Sequence, residues 1–418
     1  MRRFPTPALL GLAIALSLPA CGQRPTPLAQ AAATGATVAQ RADGRSEWLV
    51  KVAPQADLAG LDVLDRDLAA LGWLTVAQPA GISASEARRR LTRLPGVLDA
   101  QPNHVYGLDT PVSVTAQAPR LPGLLQGDPE LGRQYHLNLI HAPQAWAVTR
   151  GSRQVRLALL DTGVDPAHPE LRDRLDPEVG LYNAVMRNKD VRDGHGHGTH
   201  TAGIALASLD NGAGGAGVAP GVSLMGIQVL SSNGNGTTKS IATGFLYAAN
   251  NGARVINASL AVYRRDKVLE AAIQQALDRD VCIVASAGNV GKENDPETAP
   301  HLPSTYPGVI EVAATDAQDR VASFSNFGKT VSVAAPGVDV WSTFPTKNGI
   351  PGYGLASGTS MAAPCAAGVV ALIRSQHPDW KRAQVKAHLE ARAQDLGLAG
   401  FDPRFGHGRI DAGRAVAL

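Results

Sequence analysis

Ser357-Gly358-Thr359-Ser360-Met361-Ala362-Ala363-Pro364 is the stretch on which the reading of this chain turns. It sets one hydroxyl among small residues at the mouth of a helix predicted over Met361–Ile373, made mostly of Ala, Val, Leu and Ile, with Gly368. The first turn of such a helix carries unsatisfied N–H groups and the positive end of its dipole. An anion forming beside Ser360 would be favoured there. Pro364 falls near the start of the ladder, where it removes about one backbone hydrogen bond.

A serine acting as a nucleophile needs a base, and the base needs an orienting acid. Val155-Arg156-Leu157-Ala158-Leu159-Leu160 predicts a buried strand ending at Asp161-Thr162-Gly163. Asp161 then stands at the carboxyl end of a strand, where open parallel sheets place their sites. Gly194-His195-Gly196-His197-Gly198-Thr199-His200 leads into a second small-residue helix headed by His197. A third apolar run, Val281–Ala285, ends in Ser286-Ala287-Gly288-Asn289, and the Asn289 amide suits an oxyanion hole. Taken singly, Ser360 reads equally as a polar residue near a cap, and Asp161 as a helix cap. His195, His197 and His200 also have a spacing that binds zinc in some proteins, though no further ligand cluster accompanies them.

Asp161-Thr162-Gly163, His197-Gly198-Thr199-His200, Ala287-Gly288-Asn289 and the Gly358–Pro364 run, in that chain order, resemble the subtilisin family of serine proteases. Arg133-Gln134-Tyr135 and Ala142-Pro143-Gln144-Ala145-Trp146 are similar to its thermitase-like branch, and the likeness runs from about Asp128 to the end. The resemblance implies peptide-bond hydrolysis, with Ser360 as nucleophile, His197 as base, Asp161 as orienting acid and Asn289 in the oxyanion hole. It makes His200 a structural second histidine. It implies substrate walls at Gly234 and Gly236 on one side and at Ser259, Leu260 and Ala261 on the other, with Ser286, Ala287 and Gly288 around the specificity pocket. The chain departs from the family at Ala261-Val262, where a glycine pair is usual, and at Ser286, where alanine is common. The resemblance also implies structural calcium held by Asp128, Glu170 and Asn211 side chains and by carbonyls of Ser208, Ala213 and Gly215. Hard oxygen donors suit that ion. Glu170 replaces the family's aspartate.

Strands and helices alternate from 128 to 418 without internal repeat, which predicts an α/β domain with a parallel sheet between helix layers. A polar helix is expected over 379–395, capped by Asp379. Residues 46–110 have a different texture: a strand at Glu47–Val52, helical spacing over Leu61–Leu71, a capping signature at Ser83–Glu86 and strand character from Val97 to Tyr106. This β-α-β-α-β order reads as a small α+β module. It resembles subtilisin-type propeptides, which would make it an intramolecular inhibitor; a permanent accessory domain is the alternative. Residues 111–127 are the expected processing linker and 21–45 a flexible tether.

Residues 1–20 read as an export leader, too short in its apolar part for a permanent span. Leu18-Pro19-Ala20-Cys21 resembles a bacterial lipobox, so Cys21 is the expected lipidation site, with an ordinary secretory leader as the alternative. Without Arg2 and Arg3 the chain has 37 basic and 36 acidic residues and no basic stripe, which argues against nucleic acid as a partner. Cys282 and Cys365 read as buried thiols, with one disulfide between them as the other possibility. The expected product is an exported, lipid-anchored or extracellular monomer acting on polypeptides. An inactive peptide-binding protein on the same fold and a non-peptide esterase are the rivals.

Overall fold

In the computed structural model, which describes residues 37–108, 112–117 and 127–417, seven parallel strands form one sheet. They are β7 (Arg156–Asp161), β8 (Leu181–Asn183), β9 (Ser223–Gln228), β11 (Val255–Ala258), β12 (Cys282–Ser286), β13 (Ile310–Thr315) and β14 (Val331–Pro336), in the spatial order β14-β13-β12-β11-β7-β9-β8. Side chains alternate between two cores as the strand period demands. Leu157, Leu159, Cys282 and Val284 enter the core shared with the Ser360 helix, whereas Ala158, Leu160, Ile283 and Ala285 enter the opposite one. Burial on both faces explains why these strands read as near-continuous apolar runs.

The Ser360 helix spans Thr359–Gln376 and is buried from Thr359 to Arg374. It packs against β11, β12, β13 and β14 and against the helix His197–Leu206. Small residues permit that closeness: a Cβ on Gly368 would lie 2.6 Å from Val218 Cβ. Helices Thr238–Asn250 and Lys267–Asp278 cover the other face. β7 lies between β11 and β9, so the chain order reverses around it, and its carboxyl end opens onto a crevice of the kind where such sheets bind ligands.

The N-terminal module is an antiparallel sheet of β1 (Glu47–Val52), β2 (Val63–Asp65), β3 (Trp73–Ala77) and β4 (Val97–Pro102), in the order β2-β3-β1-β4, with the helix Ala84–Leu91 on one face. Trp48, Val50, Leu74, Val76, Ala87 and Leu91 close its own core. Leu49, Leu68 and Trp73 join the core beneath helices Thr238–Asn250 and Lys267–Asp278, so β1 is buried on both faces. Ser83 caps the helix as expected, accepting from the Glu86 N–H. The helix expected over Leu61–Leu71 is instead the edge strand β2 and a short 3-10 turn, Ala69–Leu71. The tether expected over 21–45 is shorter at its far end. Ala39 N–H donates to Asn103 O and Val105 N–H to Thr37 O, so residues from 37 on are paired to the module. Residues 1–36, with the leader and Cys21, lie outside the described residues.

Past the module, β5 (Val105–Gly107) pairs antiparallel with β10 (Asn235–Thr237). Within the expected processing linker, β6 (Ser113–Gln117) pairs with β16 (Ile350–Ser357), which also forms a hairpin with β15 (Val340–Lys347). The late helix is shorter than expected and spans Arg382–Ala391. Asp379 does not cap it; Lys381 N–H is held by the Gln384 side chain, and Trp380 stacks on His377 with ring centroids 3.7 Å apart. Cys282 and Cys365 are buried and unbridged, so the disulfide alternative fails. Among the described residues no helix is long and apolar enough to cross a membrane.

Candidate active site

Three strand ends and two helix starts meet at the carboxyl edge of the sheet. Asp161 closes β7 and is fully buried. Its Oδ1 lies 2.7 Å from His197 Nδ1 and accepts the Thr162 N–H at 2.7 Å. Its Oδ2 accepts the Thr201 hydroxyl at 3.1 Å. A carboxylate so committed fixes the ring plane and directs His197 Nε2 away from it.

His197 is the first residue of its helix, whose cap is Gly196, a residue with no side chain to offer. Asp193 does that work. Its Oδ2 accepts the N–H and hydroxyl of Thr199, and its Oδ1 accepts the N–H groups of His195 and Gly196 and the hydroxyl of Thr162. Thr162 Oγ1 in turn accepts the Gly198 N–H. Gly163, at φ +116°, and Gly198 let strand end and helix touch. A Cβ on Gly198 would lie 2.0 Å from Gly163 O, and one on Gly163 would lie 2.3 Å from Val191 O.

Ser360 follows Thr359 at the start of the buried helix and is fully buried, as is Ser259, whose hydroxyl donates to Ser360 O at 3.1 Å. Asn257 donates to the Ser259 hydroxyl at 3.0 Å. Asn289 lies just past β12. Its Oδ1 accepts both the Thr359 N–H, at 2.8 Å, and the Thr359 hydroxyl, at 2.9 Å. This sets the amide so that Nδ2 faces the Gly358–Ser360 turn, 3.3 Å from where a Gly358 Cβ would be. Ser360 Oγ and His197 Nε2 are both buried and make no hydrogen bond. A small cavity beside them is lined by His195, His197, His200, Phe344, Met361 and Val114 of β6.

Two rings of the histidine cluster are already committed to the protein. His197 Nδ1 is held by Asp161, while His200 Nε2 faces Gly354 O at 3.2 Å. Burial pushes the His200 ring down to about 3, keeping it neutral. Among the described residues no group of three or more His, Cys, Asp or Glu side chains is arranged to hold a metal.

Around this centre the expected walls come together. Leu108 N–H donates to Gly234 O at 2.7 Å, and Tyr106 pairs with Gly236. Gly234 has φ +74°, a left-handed conformation that favours glycine, with Leu108 and His195 beside it. On the other side of the undescribed residues 109–111, Val112 N–H donates to Ser357 O. Ser259-Leu260-Ala261 is buried, and Val262 exchanges both backbone hydrogen bonds with Leu302. Ser286 ends β12, Ala287 follows it, and both are fully buried. Gly288 accepts no side chain, because its Cβ would lie 2.5 Å from Asn326 Nδ2.

Of the residues expected to hold calcium, the side chains of Asp128, Glu170 and Asn211 lie together. Asp128 accepts the N–H groups of Asp210, Asn211 and Gly212. Glu170 is fully buried, with Oε1 3.4 Å from Asn211 Nδ2 and Oε2 unpartnered. Burial, with Asp128 nearby, pushes its carboxyl up to about 8.

The subtilase-family model matches residues 152–408. Thermitase of Thermoactinomyces vulgaris is 40% identical over 284 residues, which cover 68% of this chain and 96% of that protein. The chain belongs to the subtilase family. Its members are serine endopeptidases, and this chain is one by descent. Subtilisin Savinase of Lederbergia lenta is 37% identical over 280 residues, covering 67% of this chain and 97% of that one. Among solved structures, fervidolysin from Fervidobacterium pennivorans, a keratinolytic enzyme related to subtilisin, superposes with a TM-score of 0.74 at 27% identity. That match covers 91% of this chain, more than the region from residue 128 onward makes up, and the chain spans 62% of fervidolysin's length.

Sequence reading missed Asp193, Thr162, Thr359 and Asn257. A signal existed for the first: a helix opening on Gly196 leaves its N–H groups without a side-chain cap, and an aspartate three residues earlier can supply one.

Proposed function

We propose that this subtilase is an exported, self-inhibited precursor whose Ser360, His197 and Asp161 hydrolyse peptide bonds, the first being one in its own chain. The observation that carries the reading is the buried 2.7 Å contact between His197 Nδ1 and Asp161 Oδ1 at the β7 edge, with Ser360 at the neighbouring helix start. Ser360 Oγ attacks the carbonyl carbon as His197 Nε2 takes its proton. Nδ1–H stays on Asp161, which stabilises the imidazolium without taking the proton. The tetrahedral oxyanion is held by Asn289 Nδ2 and the Ser360 N–H. His197 then protonates the leaving amine, and water repeats the sequence on the acyl-enzyme. The hydroxyl–imidazole hydrogen bond absent from the precursor forms in the substrate complex, where such bonds commonly tighten.

Residues 37–108 act as the inhibitory segment. Support comes from β5, which occupies the Gly234–Gly236 edge as an added strand, the way an extended substrate would. Replacing Ser360 by alanine is expected to leave the full precursor unprocessed and unreactive toward an active-site phosphonate; normal processing of that variant would assign maturation to another protease.

Calcium suits the cluster of Asp128, Glu170 and Asn211, because the buried Glu170 Oε2 makes no hydrogen bond and carboxylate and amide oxygens are hard donors. The ion would pin the 208–215 loop that follows the His197 helix. Chelation is expected to lower Tm by about 5–10 °C, as loss of a native-state ligand worth about 3 kcal/mol would. An unchanged melting curve in EDTA counts against it. Lipid on Cys21 would anchor the exported chain, and Cys21→Ala would then release it from membranes.

A further inference from the structure

Tyr106 is the residue of β5 that pairs with Gly236, and its side chain is buried in the core that holds Ile241, Phe245 and Leu260. Its hydroxyl reaches the floor of that pocket and donates to Asp266 Oδ2 at 2.8 Å. Asp266 is 2% exposed and accepts four other hydrogen bonds. Thr238 Oγ1 donates to Oδ2 at 2.7 Å, and Oδ1 takes the N–H groups of Val268 and Leu269, each at 3.1 Å, as the cap of the helix Lys267–Asp278. Gln101 Nε2 donates to Oδ1 at 2.9 Å.

These donors divide into two groups. Thr238, Val268 and Leu269 belong to the catalytic body and stay. Tyr106 and Gln101 belong to the segment that is displaced. Once it leaves, an apolar pocket remains with a fixed, anchored carboxylate at its base that has lost a phenolic donor. A site built to hydrogen-bond a hydroxyl discriminates against the analogue that lacks it, because the buried polar group is left short of a partner.

We propose that Asp266 makes the mature enzyme selective for polypeptides with tyrosine at the position that pairs with Gly236. This rests on the reading of β5 as a substrate-like strand. Tyrosine restores the phenol–carboxylate bond; phenylalanine fills the same volume without a donor. Because Thr238 still serves Oδ2, the discrimination is about 10-fold in kcat/KM rather than the far larger ratios of fully unpartnered sites.

The test is a peptide series in which Tyr, Phe and Leu are exchanged at each position before the cleaved bond, with the bond identified by mass spectrometry. At one position alone, Tyr is expected to exceed Phe about 10-fold. Asp266→Ser keeps a helix-capping oxygen but is too short to reach the phenol, and should bring the ratio to about 1. Asp266→Asn keeps an uncharged acceptor and should give an intermediate ratio, which covers the case in which the serine variant does not fold. Cleavage by the wild type with Tyr and Phe equal at every position, or an unchanged ratio in both variants, would overturn the proposal while leaving the peptidase reading intact. A preparation that cleaves no peptide at all would remove both.

Discussion

Asp161 divides its two carboxylate oxygens among His197, Thr162 and Thr201, so its contribution is orientation as much as charge. Asp161→Asn keeps the shape but turns a donor toward Nδ1 and selects the wrong tautomer. The expected loss is about 10⁴-fold in kcat with KM little changed, measured by steady-state kinetics on protein matured in trans; a loss under tenfold would take Asp161 out of the mechanism. Asn289→Ala should cost about 10²–10³ in kcat, the figure for the same donor in a subtilisin. At this scale the sequence was most informative. Each of Asp161, His197, Asn289 and Ser360 sits in a short motif of small residues, and small residues are demanded locally wherever backbone touches backbone, as Gly198 and Gly163 do. Asp193 was announced only by the uncapped helix start that follows it, and Asn257 acts across folds of the chain on Ser259 and Ser360, where no local pattern marks it.

At the scale of elements, the His197 helix begins on a side chain from outside it. Asp193→Ala removes five acceptor contacts at one stroke and leaves buried N–H groups unpaired. A loss of about 2–4 kcal/mol is expected, with kcat falling as His197 loosens. Urea unfolding of the Asp193→Ala,Ser360→Ala pair against Ser360→Ala measures the first without self-digestion; a change under 0.5 kcal/mol, by the usual range for surface positions, would mean the cap is dispensable. The strands of the central sheet were legible because burial on both faces leaves unbroken apolar runs. The Leu61–Leu71 segment was not. Its leucines do recur at helical spacing, but Val63 and Asp65 pair with Val76 and Thr75 of β3, and that long-range pairing overrides the local period. The late helix failed differently: Trp380 finds a stacking partner in His377, and the turn this makes delays the helix to Arg382.

Across the whole molecule, the module and the catalytic body meet with opposite charges. Asp65 faces Lys239 at 3.0 Å, Asp67 pairs with Arg187, and Asp99 pairs with Lys267. Burial raises the carboxyls of Asp65 and Asp99, but the facing ammonium groups, together with the Thr75 hydroxyl and the Asp67 and Ala100 N–H groups inside the module, more than offset it, so both titrate below the ordinary aspartate value. Groups with a depressed folded value stabilise the assembly above the unfolded aspartate value near 4, and that contribution is lost as pH falls through the folded value. Acid below about pH 4 and high salt should therefore both loosen the module. After processing, the lag before activity should shorten severalfold between low salt and about 0.5 M salt; a lag indifferent to salt would leave the contact to its apolar part alone. The sequence pointed to a separate module here, yet gave no sign of the pairing across it, because charge complementarity is a property of two surfaces and not of either string.

Cys282 and Cys365 both point into the interior and meet no thiol. A chain beginning after Cys21 accordingly offers no reachable sulfur to a maleimide dye. One cysteine introduced on the outer face of the module and another beside the cleft would then carry a fluorophore pair with no background, and any separation of the module from the body could be timed directly by the fading of energy transfer.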